Sequence, residues 1–220
     1  AYGTYVDLEG ATKNEQELIR KYREMSTFPE ADQAIDDIVN EAIVTGREES
    51  PVSINLQKSN LSDTIKESIK EEFNELVRLL DFRKVGYEMF RKWYVDGRLY
   101  FHIIIDNKNP RRGIIELRPI DPLKIKKIRE PKVVQGTNGP EIDTSGFQEY
   151  YLYNEKGIRD RASGTTVQIS SDSITYCHSG VVNSDRRVVL SHLHKAMKPL
   201  NQLRMIEDAV VIYRISRAPE

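Results

Sequence analysis

Four histidines and one cysteine are the residues of this chain best suited to metal binding or nucleophilic chemistry: His102, His178, His192, His194 and Cys177. His192 and His194 stand two apart, about 200° of rotation on a helix, so they cannot grip one metal. Cys177 and His178 are neighbours on a predicted strand and point to opposite faces. A zinc site needs more ligands at workable spacing, so no metal is expected. Asp36, Asp37 and Asp106 have no constrained second carboxylate beside them and read as solvated surface. There is no GxxxxGK followed by Ser or Thr to cradle phosphates, and no GxSxG nucleophile elbow. One cysteine permits no disulfide within the chain, which suits a reducing compartment. The residues predict no enzyme, no cofactor and no metal.

Two stretches mix basic and aromatic side chains, the pairing that stacks and neutralises single-stranded nucleic acid. One holds Arg83, Lys84, Tyr87, Phe90, Arg91, Lys92, Trp93, Tyr94, Arg98 and Tyr100; the other is Lys124, Lys126, Lys127 and Arg129. Against that reading, 33 Lys+Arg meet 34 Asp+Glu, and the net charge is −1. A duplex binder draws its affinity from neutralised phosphates and carries a basic excess. A neutral nucleic-acid-binding module centred on Arg83 to Arg98 stands as the alternative function.

The elements that carry these residues divide the chain in three. Residues 1–12 read as an extended arm with few apolar anchors, and Asn14 to Met25 as a short charged helix closed by Phe28-Pro29. Asp32 to Val44 is a second helix, with Ile35, Ile38, Val39, Ala42 and Ile43 on one face and Gly46 beyond it. Residues 47–59 read as a linker, extended around Val52 to Leu56. Asn60 to Leu80 has the best apolar stripe, Leu61, Ile65, Ile69, Phe73, Leu76 and Leu80, which reads as a core face. Phe82 to Trp93 is a further helix. Arg98 to Asp106 is a strand, residues 107–113 a turn, and Ile114 to Arg118 the returning strand. Leu123 to Ile128, Phe147 to Tyr153, Thr165 to Ile169 and Ser173 to His178 are further strands, with Gly136 to Gly146 a loop. The middle is expected to be a small, mainly antiparallel sheet. Arg187 to Met197 reads as a helix, and Pro199 either kinks it or opens a new one. The fold class is therefore α+β: N-terminal helices, a small sheet and a long C-terminal helix. No apolar run approaches the ~18 residues of a membrane span, and Ala1 to Glu9 lacks a signal-peptide layout.

The last helix is the most informative element. From Pro199 to about Arg217 it would run some 28 Å at ~1.5 Å per residue. Leu203, Ile206, Val210 and Tyr213 share one face, Val211 and Ile215 a second, Met205 and Ile212 a third. A helix apolar nearly all round must be covered on several sides. Arg204, Glu207, Asp208 and Arg214 forbid a membrane, and Arg204 can pair with Glu207 or Asp208 on its own helix. Such a rod either runs through a core or packs between symmetry-related neighbours, one on each flank. The expected subunit interface is Arg204, Met205, Glu207, Asp208, Val211, Ile212, Arg214 and Ile215. The end at Ala218-Pro219-Glu220, directly after a helix, reads as an interior point of a longer polypeptide.

The segment HLHKAMKPLNQLRMIEDAVVIYRISRAPE, from His192 onward, closely resembles the signature region of portal vertex proteins of T4-like tailed phages. KWYVDGRLYFHIIID (Lys92 to Asp106), GIIELRPIDPLKIKKIRE (Gly113 to Glu130) and ADQAIDDIVNEAIV (Ala31 to Val44) resemble further blocks of that family. The likeness covers most of residues 30–220 and is weakest in 1–12 and 131–165.

The resemblance implies a structural role at one vertex of a virion, assembled in the host cytoplasm. It implies a homo-oligomeric ring of twelve subunits around a channel, the cyclic arrangement a two-faced helix suits. Double-stranded DNA would pass without sequence-specific binding, driven in by a separate terminase motor and leaving by the same path. The major capsid protein and neck or tail-completion proteins would be further partners. Members of the family are longer than this chain. By analogy residues 31–198 would form the wing-like α+β domain, preceded by an N-terminal arm and short helix in 1–30, and 199–220 the start of a stem helix. The remaining stem, tunnel loop, clip and crown would follow.

Overall fold

The computed structural model describes residues 8–43, 51–136, 139–158, 166–183 and 188–217. Helix α1 (Leu8–Met25) begins inside the stretch read as an extended arm; residues 1–7 lie outside the described residues. Ile19, Tyr22 and Met25 are buried, and once that half is nucleated by packing, each further turn toward Leu8 needs no new nucleus. Helix α2 (Pro29–Ala42) starts three residues before the expected Asp32. Pro29 opens it: the first turn needs no N–H there, and the fixed φ is already helical. Ala31, Ile35 and Val39 form its buried stripe, at the expected spacing.

Helices α3 (Asp63–Leu79) and α4 (Phe82–Asp96) meet at Leu80 and Asp81, where Asp81 takes a left-handed φ of 47°. The stripe of α3, expected in the core, is not there: the helix has no buried residue. It touches α4 and residues 114–120, which leaves Ile69, Phe73 and Leu80 half-buried while Leu61, Ile65 and Leu76 stay exposed.

Six strands follow, and the expected single sheet is two. Strands β1 (Arg98–Ile105), β2 (Ile114–Ile120) and β6 (Ile174–His178) form an antiparallel sheet in the order β2-β1-β6. Strands β3 (Ile125–Gly136), β4 (Gly139–Tyr153) and β5 (Val167–Ser170) form a second, in the order β3-β4-β5. The division falls at Asp121 to Lys124, where the Asp121 carboxylate accepts the Leu123 N–H at 2.9 Å and turns the chain out of the first ladder. The sheets meet through Tyr100, Ile125, Tyr151 and Ile174, with Tyr100 stacked on Tyr176 at 4.7 Å and edge-on to Tyr151 at 6.1 Å. Most of the stretch expected as a loop, Gly136 to Gly146, is strand: pairing continues from Lys132↔Asp143 to Gly136↔Gly139 after a register shift at Pro131. Proline has no N–H for the ladder, so the slip falls there.

The expected helix from Arg187 is also replaced. Arg187 lies outside the described residues. Val189 forms a bridge with Val182, and the Leu190 N–H donates to the Val181 carbonyl at 2.8 Å. The β-branched pair Val188-Val189 suits that extended path. A 3₁₀ helix, His192–Ala196, then leads into helix α5 (Met197–Ser216), which places Pro199 in its first turn. A second core gathers Tyr22, Ile35, Val39, Val95 and Leu193, with Met197 against it.

Candidate functional site: an exposed helix on a clamped seat

Helix α5 is anchored at its base and bare above it. Gly97 ends α4 with φ +73°, and its N–H donates to the Trp93 carbonyl at 2.9 Å. A Cβ there would lie 2.7 Å from the Leu190 oxygen and 2.9 Å from the Ser191 Cα. Glycine is thus required twice over, for the turn and for the close passage of residues 190–191. The buried Ser191 hydroxyl donates to the Tyr94 carbonyl at 3.0 Å and accepts the Leu193 N–H at 3.0 Å, capping the 3₁₀ helix. The Ser179 hydroxyl donates to the Leu190 carbonyl at 2.6 Å. Arg98, buried, reaches the Val189 carbonyl and pairs with Glu15 at 3.2 Å.

The two histidines complete the seat from opposite sides. His194 Nδ1 and the Tyr22 hydroxyl are hydrogen-bonded at 2.7 Å, which ties the base of α5 to α1. His192 stacks on Tyr94 with centroids 5.0 Å apart and planes 13° from parallel, and lies 5.0 Å from Trp93. Its Nε2 is buried without a hydrogen-bond partner, and burial holds its pKa below the usual histidine value. Neutral, stacked imidazole is the form this position favours.

Beside the seat, Arg23 clasps three elements. It donates to Asp96 at the end of α4 through two nitrogens, at 2.9 and 2.7 Å, and to Asp121 after β2 at 3.2 and 2.8 Å. Burial pushes the Asp96 carboxyl up, partly offset by Arg23. Burial also pushes Asp121 up, but hydrogen bonds from Arg23 and the Leu123 N–H outweigh it and hold that carboxyl below the ordinary range. The clasp fixes helices to sheet around the base of α5.

Above the seat, every residue from Asn201 to Arg217 is exposed. Met205, Ile212 and Ile215 show 71%, 66% and 72% of their surface, and Ile206, Val210, Val211 and Tyr213 are also exposed large apolar residues. The expected interface residues Arg204, Met205, Glu207, Asp208, Val211, Ile212, Arg214 and Ile215 thus all lie on the free part of the rod. Arg204 does not pair with Glu207 or Asp208 on its own helix. Its guanidinium sits 4.1 Å from the centroid of the Phe28 ring, leaning α5 on the α1–α2 corner. Glu207, Asp208 and Arg214 form no ion pair among the described residues.

The basic-aromatic stretches resolve differently. Arg91 pairs with Asp32 and Asp36, Lys92 with Glu88, Lys84 with Asp81, and Lys127 and Arg129 with Glu149. Phe90, Trp93, Tyr94 and Tyr100 are spent on internal packing. These cations are committed to acids of their own chain, which leaves little to meet phosphates. Among the described residues no cluster of His, Cys, Asp and Glu could hold a metal, and no helix is long and apolar enough to cross a membrane. Sequence reasoning missed the seat, namely Tyr22, Tyr94, Gly97 and Ser191. The Asp96-Gly97 stop before a β-rich run was the signal available for it.

Comparison with known proteins decides the family. The family described as "Bacteriophage T4-like portal protein (Gp20)" matches residues 15–220. The chain belongs to the T4-like portal protein family. Among its relatives, the portal protein of Vibrio phage KVP40 is 43% identical over 215 residues, covering 93% of this chain and 41% of its own. The portal protein of Salmonella phage ViI is 35% identical over 229 residues, covering 98% and 41%. This chain therefore spans about two fifths of the length of these portal relatives, and the match takes in both the clamped seat and α5.

Proposed function

We propose that this chain is part of a structural subunit of a phage portal, a ring at one capsid vertex of the virion through which DNA is packaged and ejected. Residues 31–198 form the wing-like body, and the helix that continues from Pro199 is the start of the stem that lines the channel. The observation that carries the reading is the exposure of α5: a rod apolar nearly all round is exposed from Asn201 onward, with Arg204 laid on the Phe28 ring. Such surface is covered in the working state. Cyclic packing supplies cover on both flanks, because each copy offers one face to the left and another to the right. Twelve subunits assembled in the host cytoplasm, with the major capsid protein, a terminase motor and neck or tail-completion proteins as partners, complete the reading.

The charge balance supports it. A conduit that moves DNA must not grip phosphates, since each Lys or Arg contact adds salt-dependent affinity. With a net charge of −1, and with most cations of both basic-aromatic stretches paired internally, the chain suits passage over binding. The interface we assign to the ring is Arg204, Met205, Glu207, Asp208, Val211, Ile212, Arg214 and Ile215. Glu207 and Asp208 face Arg214, or an Arg204 released from Phe28, of a neighbour, and these pairs set register more than affinity. In the complete polypeptide, Glu207→Lys with Asp208→Lys is expected to reduce rings to smaller species in native mass spectrometry. Undiminished rings would remove this pairing.

A further inference from the structure

One face of α1 is built for more than filling a core. Glu15, Ile19, Tyr22 and Arg23 are spaced four, three and one residues apart, which places them on the same side of the helix. A helix that served only to bury surface would carry apolar residues at all four positions. Here Ile19 alone is purely apolar, and the other three bring a carboxylate, a hydroxyl and a guanidinium to the inner side.

Each of these groups grips a different point on the path into α5. Glu15 pairs with Arg98 at 3.2 Å, and the same guanidinium donates to the Val189 carbonyl just before the seat. The hydroxyl of the fully buried Tyr22 meets His194 Nδ1 at 2.7 Å, within the 3₁₀ helix. Arg23 holds Asp96, next to Gly97. The corner after α1 adds a fourth grip. Phe28, its backbone restricted by the following Pro29, lies under Arg204 with the guanidinium 4.1 Å from the ring centroid. Arg204 stands about two turns above the start of α5 at Met197. Among the described residues, and apart from the 3₁₀ helix continuous with it, α1 is the element that α5 meets most.

We propose that α1 and the corner at Phe28 form a strap that sets the angle of α5, with Glu15, Tyr22 and Phe28 as positioning residues for the rod. Residues 191–197 fix where the rod starts, and a contact beyond its first turn fixes where it points. The Tyr22–His194 bond steadies the base, and the Phe28 ring holds the shaft through Arg204. The use of that angle rests on the ring reading above: rods that meet neighbours on both flanks must leave every body in the same direction. The strap itself is a property of the single chain.

The test uses the complete polypeptide, with cysteines outside this chain replaced by serine. Nitroxides are placed at Cys177, exposed on β6, and at Ala209→Cys, exposed on α5, in subunits diluted into an excess of unlabelled ones. Ala209 lies about 18 Å along the helix from Met197, so a pivot of roughly 20° moves it by about 6 Å. Double electron–electron resonance is expected to give one narrow distance in this parent. Tyr22→Phe with Phe28→Leu keeps the buried bulk but removes the hydroxyl and the ring under Arg204, and is expected at least to double the width. Phe28→Tyr keeps a ring there and is expected to stay narrow. Arg204→Gln changes one exposed residue and is expected to widen the distribution by itself, so misfolding of the double variant does not end the test. A parental width in Arg204→Gln, or variants that only melt earlier, would make these ordinary stabilising contacts and overturn the strap. A parent that gives no ring in native mass spectrometry overturns the ring reading, and the distances still decide the strap.

Discussion

At the scale of single residues, the seat of α5 depends on groups whose roles are set by burial. His192 shows this best. Its ring is stacked on Tyr94 and its Nε2 is buried without a partner, so the charged form is disfavoured in the fold and its pKa lies below the ordinary 6.5. The unfolded chain therefore binds the proton more readily, and stability falls as the pH drops through about 6.5. The fall ends below the folded value, and for one proton its slope cannot exceed about 1.4 kcal/mol per pH unit. His192→Phe keeps the stacked ring and removes the titration. We expect denaturant melts of the variant to lose part of the wild-type decline between pH 7 and pH 5. An unchanged decline would place the acid sensitivity elsewhere. The sequence placed His192 and His194 about 200° apart on a helix. It could not show that each ring meets a different helix, because those contacts, to Tyr22 and to Tyr94, span 172 and about 100 residues of chain.

At the scale of elements, Gly97 joins α4, β1 and the segment that leads into α5. Its positive φ, and a Cβ position only 2.7 Å from the Leu190 oxygen, leave no room for a side chain. Gly97→Ala is expected to cost roughly 1–3 kcal/mol through backbone strain and displacement of residues 190–191. Chemical denaturation measures the loss, and hydrogen exchange should place it first at residues 188–197. A variant as stable as the wild type would show that the passage is slack. Most helices and strands were legible because their periods are local: Ile35 and Val39 on α2, and the β-branched run of β1. Three elements were not. The β3–β4 hairpin hides behind Pro131 and its glycines, whose turn character is local while the ladder is not. Val188-Val189 was drawn into a helix by Leu190, Leu193 and Met197 until its bridge to Val182 decided otherwise. The stripe of α3 was read correctly as apolar and wrongly as core, since period tells which face is apolar and not what covers it.

At the scale of the whole molecule, an open rod rises from a body that holds its own cores. Two cores and the Arg23 clasp give α5 a fixed origin, and the uncovered apolar surface beyond that origin asks for neighbours. The fold class could be read from the sequence, and so could the several apolar sides of the rod. The direction in which the rod leaves the body could not, because the seat that sets it is built from α1, α4, β1 and residues 188–196 together. The central claim is that copies of this chain surround a channel with α5 along its wall. Cryo-electron microscopy of the complete, purified polypeptide tests it most directly. We expect closed rings in which α5 is flanked by neighbouring subunits on both sides and borders the central opening. Rings in which α5 points away from the axis, or a monomer with α5 folded into its own core, would contradict the account.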